Sequence, residues 1–131
     1  MNRIQIIIAY DHQLFRNGLK LLLNTFPEFE VAGEASNGDE FLKLLRTTPA
    51  DVALMDINMP EMDGIEATRR GLKINPSVNI IALSMYGEEE YYYKMVDAGA
   101  KGFLLKDSDI SEVKEAILTV IKGGSFFSQE L

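Results

Sequence analysis

The chain has 131 residues, of which 47% are hydrophobic and none is cysteine. This length suits one globular domain, and the lack of cysteine excludes a disulfide scaffold, a thiolate nucleophile and a cysteine-built metal site. The 20 acidic residues outnumber the 13 basic ones and give a net charge of −7, which argues against a nucleic-acid-binding domain and favours a cation or a basic partner surface.

Five short runs rich in Ile, Val, Leu and Ala predict β-strands, at residues 4–9, 30–35, 52–55, 79–84 and 102–105. The first, third and fourth runs are almost continuously apolar, which is typical of strands buried on both faces of a parallel sheet. The second run alternates between apolar and polar residues, so we expect it at or near an edge of the sheet.

Amphipathic patterns with helical spacing lie between and after these runs. Their apolar positions are Leu14, Leu19, Leu22 and Leu23; Phe41, Leu42, Leu44 and Leu45; Ile65, Ala67, Thr68 and Leu72; Met95, Val96 and Ala98; and Val113, Ala116, Ile117, Val120 and Ile121. Strands that alternate with helices indicate βαβ units, and right-handed crossovers place helices on both faces of the sheet. We therefore predict a doubly wound parallel α/β fold.

No stretch has the pattern of a signal peptide, and none approaches the roughly 20 consecutive apolar residues of a membrane span. We therefore expect a cytoplasmic protein without membrane association. A Gly-Gly pair at 123–124 ends the last predicted helix, so we assign residues 1–124 to the domain. Residues 125–131 are predicted to be a tail or the beginning of a linker.

Polar residues stand at the carboxyl ends of four predicted strands, where open parallel sheets bind their ligands. Tyr10 and Asp11 follow the first strand, and Asp56 follows the third. Ser84 ends the fourth strand, and Lys106 follows the fifth. We therefore expect two carboxylates, a hydroxyl and an amine to converge on one edge of the sheet.

This set of groups suits phosphoryl transfer to a carboxylate. Asp11, Asp56 and a backbone carbonyl would provide oxygen ligands for Mg²⁺, which keeps several of its waters. One oxygen of Asp56 would remain free to attack phosphorus, since aspartate is an established phosphoryl acceptor. The metal, Lys106 and Ser84 would neutralise and hydrogen-bond the phosphoryl oxygens.

Three stretches resemble the receiver domain of two-component response regulators. Residues 56–64 (DINMPEMDG) match the region around the family's phosphoacceptor aspartate, and residues 81–84 (IALS) match its fourth strand. Residues 98–107 (AGAKGFLLKD) match its fifth strand with the lysine. The form GFLLKD and the ending GGSFFS at 123–128 are most similar to regulators with a LuxR/NarL-type DNA-binding domain.

The resemblance implies a flavodoxin-like (βα)5 fold with five parallel strands in the order 2-1-3-4-5. It implies a signalling switch, rather than an enzyme, that assists its own phosphotransfer and dephosphorylation. A histidine kinase would donate the phosphoryl group, and phosphorylation would promote a homodimer. DNA binding and transcription regulation would belong to an output domain that this chain does not include.

The resemblance also gives the residues around Asp56 their roles. Asp56 would be the phosphorylated residue. Asp11 would be a direct Mg²⁺ ligand, together with Asp56 and the backbone carbonyl of Asn58. Lys106 would pair with Asp56 and contact the phosphoryl group.

The same matching assigns residues that respond to phosphorylation. Ser84 would sense the phosphoryl group through a hydrogen bond. Phe103 holds the position of the aromatic side chain that changes rotamer on activation. Asn58 and Tyr86 hold variable positions that tune how fast the phosphoryl group is lost.

Tyr10 departs from the family pattern, which usually has two consecutive acids after the first strand. We expect Tyr10 to weaken Mg²⁺ binding without abolishing it, because Asp11 remains. The phenol would donate a hydrogen bond or block the mouth of the site. This departure leaves open an alternative function, a degenerate receiver that acts as a phosphorylation-independent interaction domain.

Two further alternatives fit the residues less well. A phosphatase of the haloacid-dehalogenase type has a second aspartate two residues after its nucleophile, but here that position is Asn58. A flavin or nucleotide binder needs a glycine- or hydroxyl-rich phosphate loop after the first strand. Residues 9–12 (AYDH) place an acid there instead.

Overall fold

One parallel sheet forms the centre of the computed structural model, which describes residues 3–85 and 89–127 without the side chain of Glu89. Its strands are β1 (Ile4–Ala9), β2 (Phe29–Ala35), β3 (Val52–Asp56), β4 (Asn79–Ser84), β5 (Gly102–Leu105) and β6 (Phe126–Phe127). They lie in the order β2-β1-β3-β4-β5-β6. The strand order proceeds toward one edge of the sheet from β1 to β2 and toward the other edge from β3 onward. Folds of this kind bind ligands at the point where the order changes, here between β1 and β3, at the carboxyl ends of the strands.

Helices connect the strands where the apolar spacing predicts them. They are α1 (Gln13–Leu23), α2 (Gly38–Thr47), α3 (Gly64–Ile74), α4 (Tyr92–Ala98) and α5 (Ile110–Ile121), and a 3-10 turn, Glu89–Tyr91, precedes α4. Within residues 3–85 and 89–127, no helix is both long and apolar enough to cross a bilayer.

The helices cover both faces of the sheet, as a doubly wound fold requires. On one face, α1 and α5 pack over strand residues such as Ile6, Ile8 and Leu54. On the other, α2, α3 and α4 pack over residues such as Ile7 and Met55. Because both faces are covered, the central strands β1, β3 and β4 are almost entirely apolar.

The predicted five-stranded order is incomplete, because Phe126–Phe127 adds a sixth strand beside β5. Gly123 takes a left-handed φ of 94° after α5, a conformation that glycine adopts without strain. The chain then returns to β5, where the Phe126 N–H donates to the Lys101 carbonyl at 2.9 Å. Both phenylalanines are half-buried and pack against the core, one on each face of the sheet.

Two apolar residues of the first predicted helix face are exposed. Leu14 is 76% exposed and Leu22 is 46% exposed, whereas Leu19 and Leu23 are buried. At about 100° per residue, Leu14 lies roughly 140° around α1 from Leu19 and therefore points away from the sheet.

Candidate functional site

The parallel strands bring the predicted polar residues to one edge of the sheet. Asp56 ends β3 and Ser84 ends β4, while Asp11 and Lys106 follow closely after β1 and β5. The Lys106 Nζ atom lies 2.8 Å from Oδ1 of Asp56. The predicted pair between the ends of β3 and β5 is therefore present.

Asp56 is the most deeply buried acid of this edge, with 1% of its surface exposed. Its Oδ1 atom accepts from Lys106 and from the backbone N–H of Asn58, at 3.2 Å. Burial raises the pKa of the Asp56 carboxyl, and the hydrogen bond and charge of Lys106 offset that rise only in part. Both of these contacts are made by the same oxygen, Oδ1, and neither involves Oδ2.

The turn after β3 is fixed by close backbone packing. The Gly64 N–H donates to the Ile57 carbonyl at 2.7 Å, and Asp63 caps α3 by accepting from the Glu66 N–H at 2.9 Å. A Cβ atom at Gly64 would lie 2.3 Å from the Asp56 carbonyl oxygen. Glycine is therefore required for α3 to approach Asp56 this closely.

Asp11 supplies a second carboxylate at the same edge. Its side chain is exposed, and its negative charge is one of the causes that raise the pKa of Asp56. Asn58 is also exposed and follows Asp56 in the same turn. Two carboxylates and a backbone carbonyl are hard oxygen donors of the kind that Mg²⁺ prefers. Among residues 3–85 and 89–127, no three His, Cys, Asp or Glu side chains form a metal-binding group.

Lys106 is held between a carboxylate and an aromatic ring. Its side chain is 14% exposed, and its Nζ atom lies 4.8 Å from the centroid of the Tyr10 ring. Burial by itself lowers the pKa of Lys106, but Asp56, with a smaller contribution from the Tyr10 phenol, shifts it upward overall. The sequence did not predict this contact; its only signal is an aromatic residue at a strand end where an acid is usual.

Ser84 lies at the buried end of the site. It is 1% exposed, and its backbone carbonyl accepts from the Lys106 N–H at 2.7 Å. Its hydroxyl has no hydrogen-bond partner within the described part of the chain. A buried hydroxyl without a partner is costly, so Ser84 is available to a group that enters this edge.

Phe103 lies farther from the edge, in the core beneath α4. It is fully buried, and its ring packs edge-on against Tyr92 at 5.3 Å between centroids. Tyr92 in turn packs against Phe127 of β6 at 5.4 Å. Phe103 is therefore a core residue in this structure, and the predicted tuning residue Tyr86 lies outside the described residues.

Comparison with known proteins finds a family that matches most of the chain. Residues 6–118 match the model of the response regulator receiver domain. The chain is 42% identical over 125 residues to the transcriptional regulatory protein DegU of Brevibacillus brevis, covering 95% of this chain and 53% of DegU. It is 36% identical over 128 residues to the response regulator UvrY of Escherichia coli, covering 98% of this chain and 59% of UvrY.

Solved structures agree with this match. A LuxR-family two-component response regulator from Aurantimonas sp. superposes with a TM-score of 0.92 at 30% identity, covering 98% of this chain and 92% of that one. The signal receiver domain of the putative response regulator NarL from Mycobacterium tuberculosis gives a TM-score of 0.86 at 33% identity, with coverage of 94% and 99%. The chain spans little more than half the length of the curated relatives named above.

Proposed function

Because the chain belongs to the response regulator receiver domain family, we propose that it is switched by phosphorylation of Asp56. The observation that carries this proposal is the placement of Asp56, a buried carboxylate held at 2.8 Å by Lys106 through one oxygen. A carboxylate fixed through Oδ1 presents Oδ2 to a phosphoryl donor. The phosphorylation-independent alternative is less favoured, because the expected acids, hydroxyl and lysine all lie at this edge.

The proposed reaction is a direct displacement at phosphorus. Oδ2 of Asp56 attacks the phosphorus of a phosphorylated histidine in a kinase. A new O–P bond forms while the P–N bond breaks, and the imidazole nitrogen keeps the electron pair. Lys106 exchanges its contact with the carboxylate for one with a phosphoryl oxygen, because charge-assisted hydrogen bonds to phosphate are strong.

The residues at this edge fit a Mg²⁺ ion. Asp11, Asp56 and the Asn58 backbone carbonyl would hold it, and when bound it supplies positive charge that neutralises the phosphoryl oxygens. The fit rests on the donor set, since neighbouring strands bring two carboxylates and a backbone carbonyl to one edge of the sheet. A cation there would reduce the repulsion between the two carboxylates.

The proposed response involves Ser84 and Phe103. The Ser84 hydroxyl, which lacks a partner among the described residues, would donate to the new phosphoryl group. Movement of Ser84 would free space for Phe103 to leave its contact with Tyr92, and the surface formed by α4, β5 and α5 would change. Phosphorylation would thereby act as a local electrostatic event with a packing response.

The rest of the signalling path is proposed from the family. A cytoplasmic histidine kinase would be the donor, and the phosphorylated domain would form a homodimer. Residues 1–124 would be the receiver, to whose sheet Phe126–Phe127 adds the edge strand β6. Residues 125–131 would be a tail or the beginning of a linker to a DNA-binding output domain. Asn58 and Tyr86 would tune the lifetime of the phosphoryl group.

Intact-mass spectrometry with a small phosphodonor tests this function. We expect one phosphoryl adduct on the wild-type protein in Mg²⁺ and none in EDTA. The Asp56→Asn variant is expected to give no adduct, whereas Asp107→Asn, an exposed acid beside Lys106, is the matched control and keeps it. Equal adduct on wild type and Asp56→Asn would overturn the assignment.

A further inference from the structure

Tyr10 presents its ring to the lysine of the proposed site. The ring is 7% exposed, and Lys106 Nζ lies over it at 4.8 Å from the centroid. Ammonium groups within about 6 Å of a ring centroid are attracted to its negative face. Lys106 therefore has two attractive partners, the ring of Tyr10 and the carboxylate of Asp56.

The Tyr10 ring is held in place from several sides. It stacks on Phe15 of α1 with centroids 4.6 Å apart and planes 21° from parallel. The backbone N–H of Tyr10 donates to the Ala35 carbonyl at 2.9 Å, and the backbone carbonyl of Tyr10 accepts from Arg16 Nη1. Arg16 is itself paired with Glu34 of β2 at 3.1 Å. The ring is consequently a fixed surface rather than a free side chain.

The surroundings of Lys106 leave room for movement. Lys106 lines an apolar cavity of about 260 Å³, together with Phe15, Leu19, Leu83 and Leu105. Close packing alone therefore does not fix the lysine. The position of its ammonium depends on Asp56 and on the Tyr10 ring.

We propose that Tyr10 is a positioning residue that holds Lys106 at the edge of the sheet while a phosphoryl group is transferred to Asp56. This role rests on the proposed function of Asp56. During transfer, Lys106 gives up the carboxylate oxygen for a phosphoryl oxygen, and the ring keeps the ammonium in place. A second carboxylate at this position would compete with the phosphoryl group for the Lys106 ammonium. The uncharged ring attracts the ammonium more weakly and leaves it able to bind the phosphoryl group.

Two variants separate the ring from the hydroxyl. Tyr10→Phe keeps the aromatic face and loses the hydroxyl, whereas Tyr10→Leu removes the face. Phe15→Leu leaves Tyr10 unchanged but removes its stacking partner, and serves as a second test if Tyr10→Leu does not fold. Circular dichroism and thermal unfolding establish which variants fold.

The first readout is independent of phosphorylation. An ammonium over an aromatic ring places the neighbouring Cε protons of Lys106 in the shielding region of that ring, so their NMR signal moves upfield. We expect this shift in the wild type and in Tyr10→Phe, a smaller shift in Phe15→Leu, and none in Tyr10→Leu. Absence of the shift in the wild type would overturn the contact itself.

The second readout is the initial rate of adduct formation with a small phosphodonor, measured against Mg²⁺ concentration. We expect Tyr10→Leu to lower the rate at saturating Mg²⁺ about three- to tenfold, the range of one cation–π contact, with the half-saturating Mg²⁺ concentration nearly unchanged. Tyr10→Phe loses only the smaller contribution of the phenol, so its rate should lie closer to the wild type than that of Tyr10→Leu, and Phe15→Leu should lie between the wild type and Tyr10→Leu.

The outcomes separate this proposal from the one on which it rests. A wild-type rate in Tyr10→Leu, with the upfield shift lost, would overturn the positioning role while Asp56 phosphorylation stands. A changed Mg²⁺ requirement at an unchanged maximal rate would assign Tyr10 to the metal instead. No adduct on the wild-type protein would overturn the phosphorylation of Asp56, and the positioning role with it.

Discussion

The Lys106 ammonium lies 2.8 Å from the Asp56 carboxylate, and both side chains are largely withdrawn from water. Burial raises the pKa of Asp56, whereas the carboxylate raises the pKa of Lys106. The pair therefore favours the protonated lysine, while burial penalises the ionised form of the aspartate. A phosphoryl group would bring further negative charge to this edge, so Lys106 would exchange its contact with the carboxylate for one with a phosphoryl oxygen.

The Asp56 carboxyl should make stability depend on pH. Its pKa in the folded protein is raised, so the stability it contributes is present below its ordinary pKa of about 4 and is lost as pH rises through the folded value. We expect the unfolding free energy of the wild type to fall, relative to Asp56→Asn, as the pH rises above about 4. Urea unfolding of both proteins measures this difference, and a relative gain by the wild type would contradict it.

Removing the lysine should show how much the buried carboxylate lowers the unfolding free energy when it has no charged partner. Lys106→Met leaves Asp56 without its charged partner, and we expect a loss of roughly 3 kcal/mol in unfolding free energy at pH 7. Lys101→Met, at an exposed lysine just before β5, is the matched control and should change it by less than about 0.5 kcal/mol. Combining Lys106→Met with Asp56→Asn should cost less than the sum of the two single changes; additive effects would argue against the pair.

Gly64 should tolerate no side chain. Gly64→Ala places a methyl group 2.3 Å from the Asp56 carbonyl oxygen, so we expect a loss of about 1–3 kcal/mol and slower phosphorylation. Gly18→Ala is the control, because no atom lies within 4 Å of the added methyl and alanine favours a helix by about 1 kcal/mol. Thermal unfolding should move in opposite directions for the two variants, and a stabilised Gly64→Ala would show that α3 does not approach Asp56 this closely.

Ser84 should matter for the response rather than for folding. Ser84→Ala removes a buried hydroxyl that lacks a partner among the described residues, so the unfolding free energy should be unchanged or rise by up to about 1 kcal/mol. Ser111→Ala, which removes a hydroxyl bonded to Asp109 at 2.8 Å, should instead lower it slightly. In NMR spectra, phosphorylated Ser84→Ala should show weaker shift changes around Phe103; changes equal to those of the wild type would contradict the sensing role.

Much of the fold could be predicted, because the spacing of apolar residues and the composition of each segment are properties of short stretches of sequence. The continuous apolar runs of the central strands follow from burial on both faces, and the convergence of Asp56 and Lys106 follows from parallel strands that end at one edge. The apolar spacing that begins at Ile65 also predicted α3, whereas the close approach of Gly64 to Asp56 is visible only in the structure. The orientation of α1 was harder to predict, because an isolated leucine such as Leu14 does not reveal which side of a helix faces the sheet.

The remaining features depend on contacts between distant parts of the chain. Phe126 and Phe127 follow a helix stop and have no strand-length pattern, so only the open edge of β5 reveals that they pair. The contact between Tyr10 and Lys106 joins two strand ends 96 positions apart. Its signal in the sequence is the departure from a second acid, which by itself predicts weaker metal binding and does not reveal a partner for the lysine.

The most direct test of the account is chemical identification of the phosphorylated residue. An acyl phosphate is reduced by borohydride to an alcohol, so an aspartyl phosphate becomes homoserine. After treatment with a small phosphodonor and Mg²⁺, we predict homoserine at position 56 in peptide sequencing by mass spectrometry. Homoserine at another aspartate, such as Asp11, or a phosphoryl adduct that resists reduction, would contradict the assignment of Asp56.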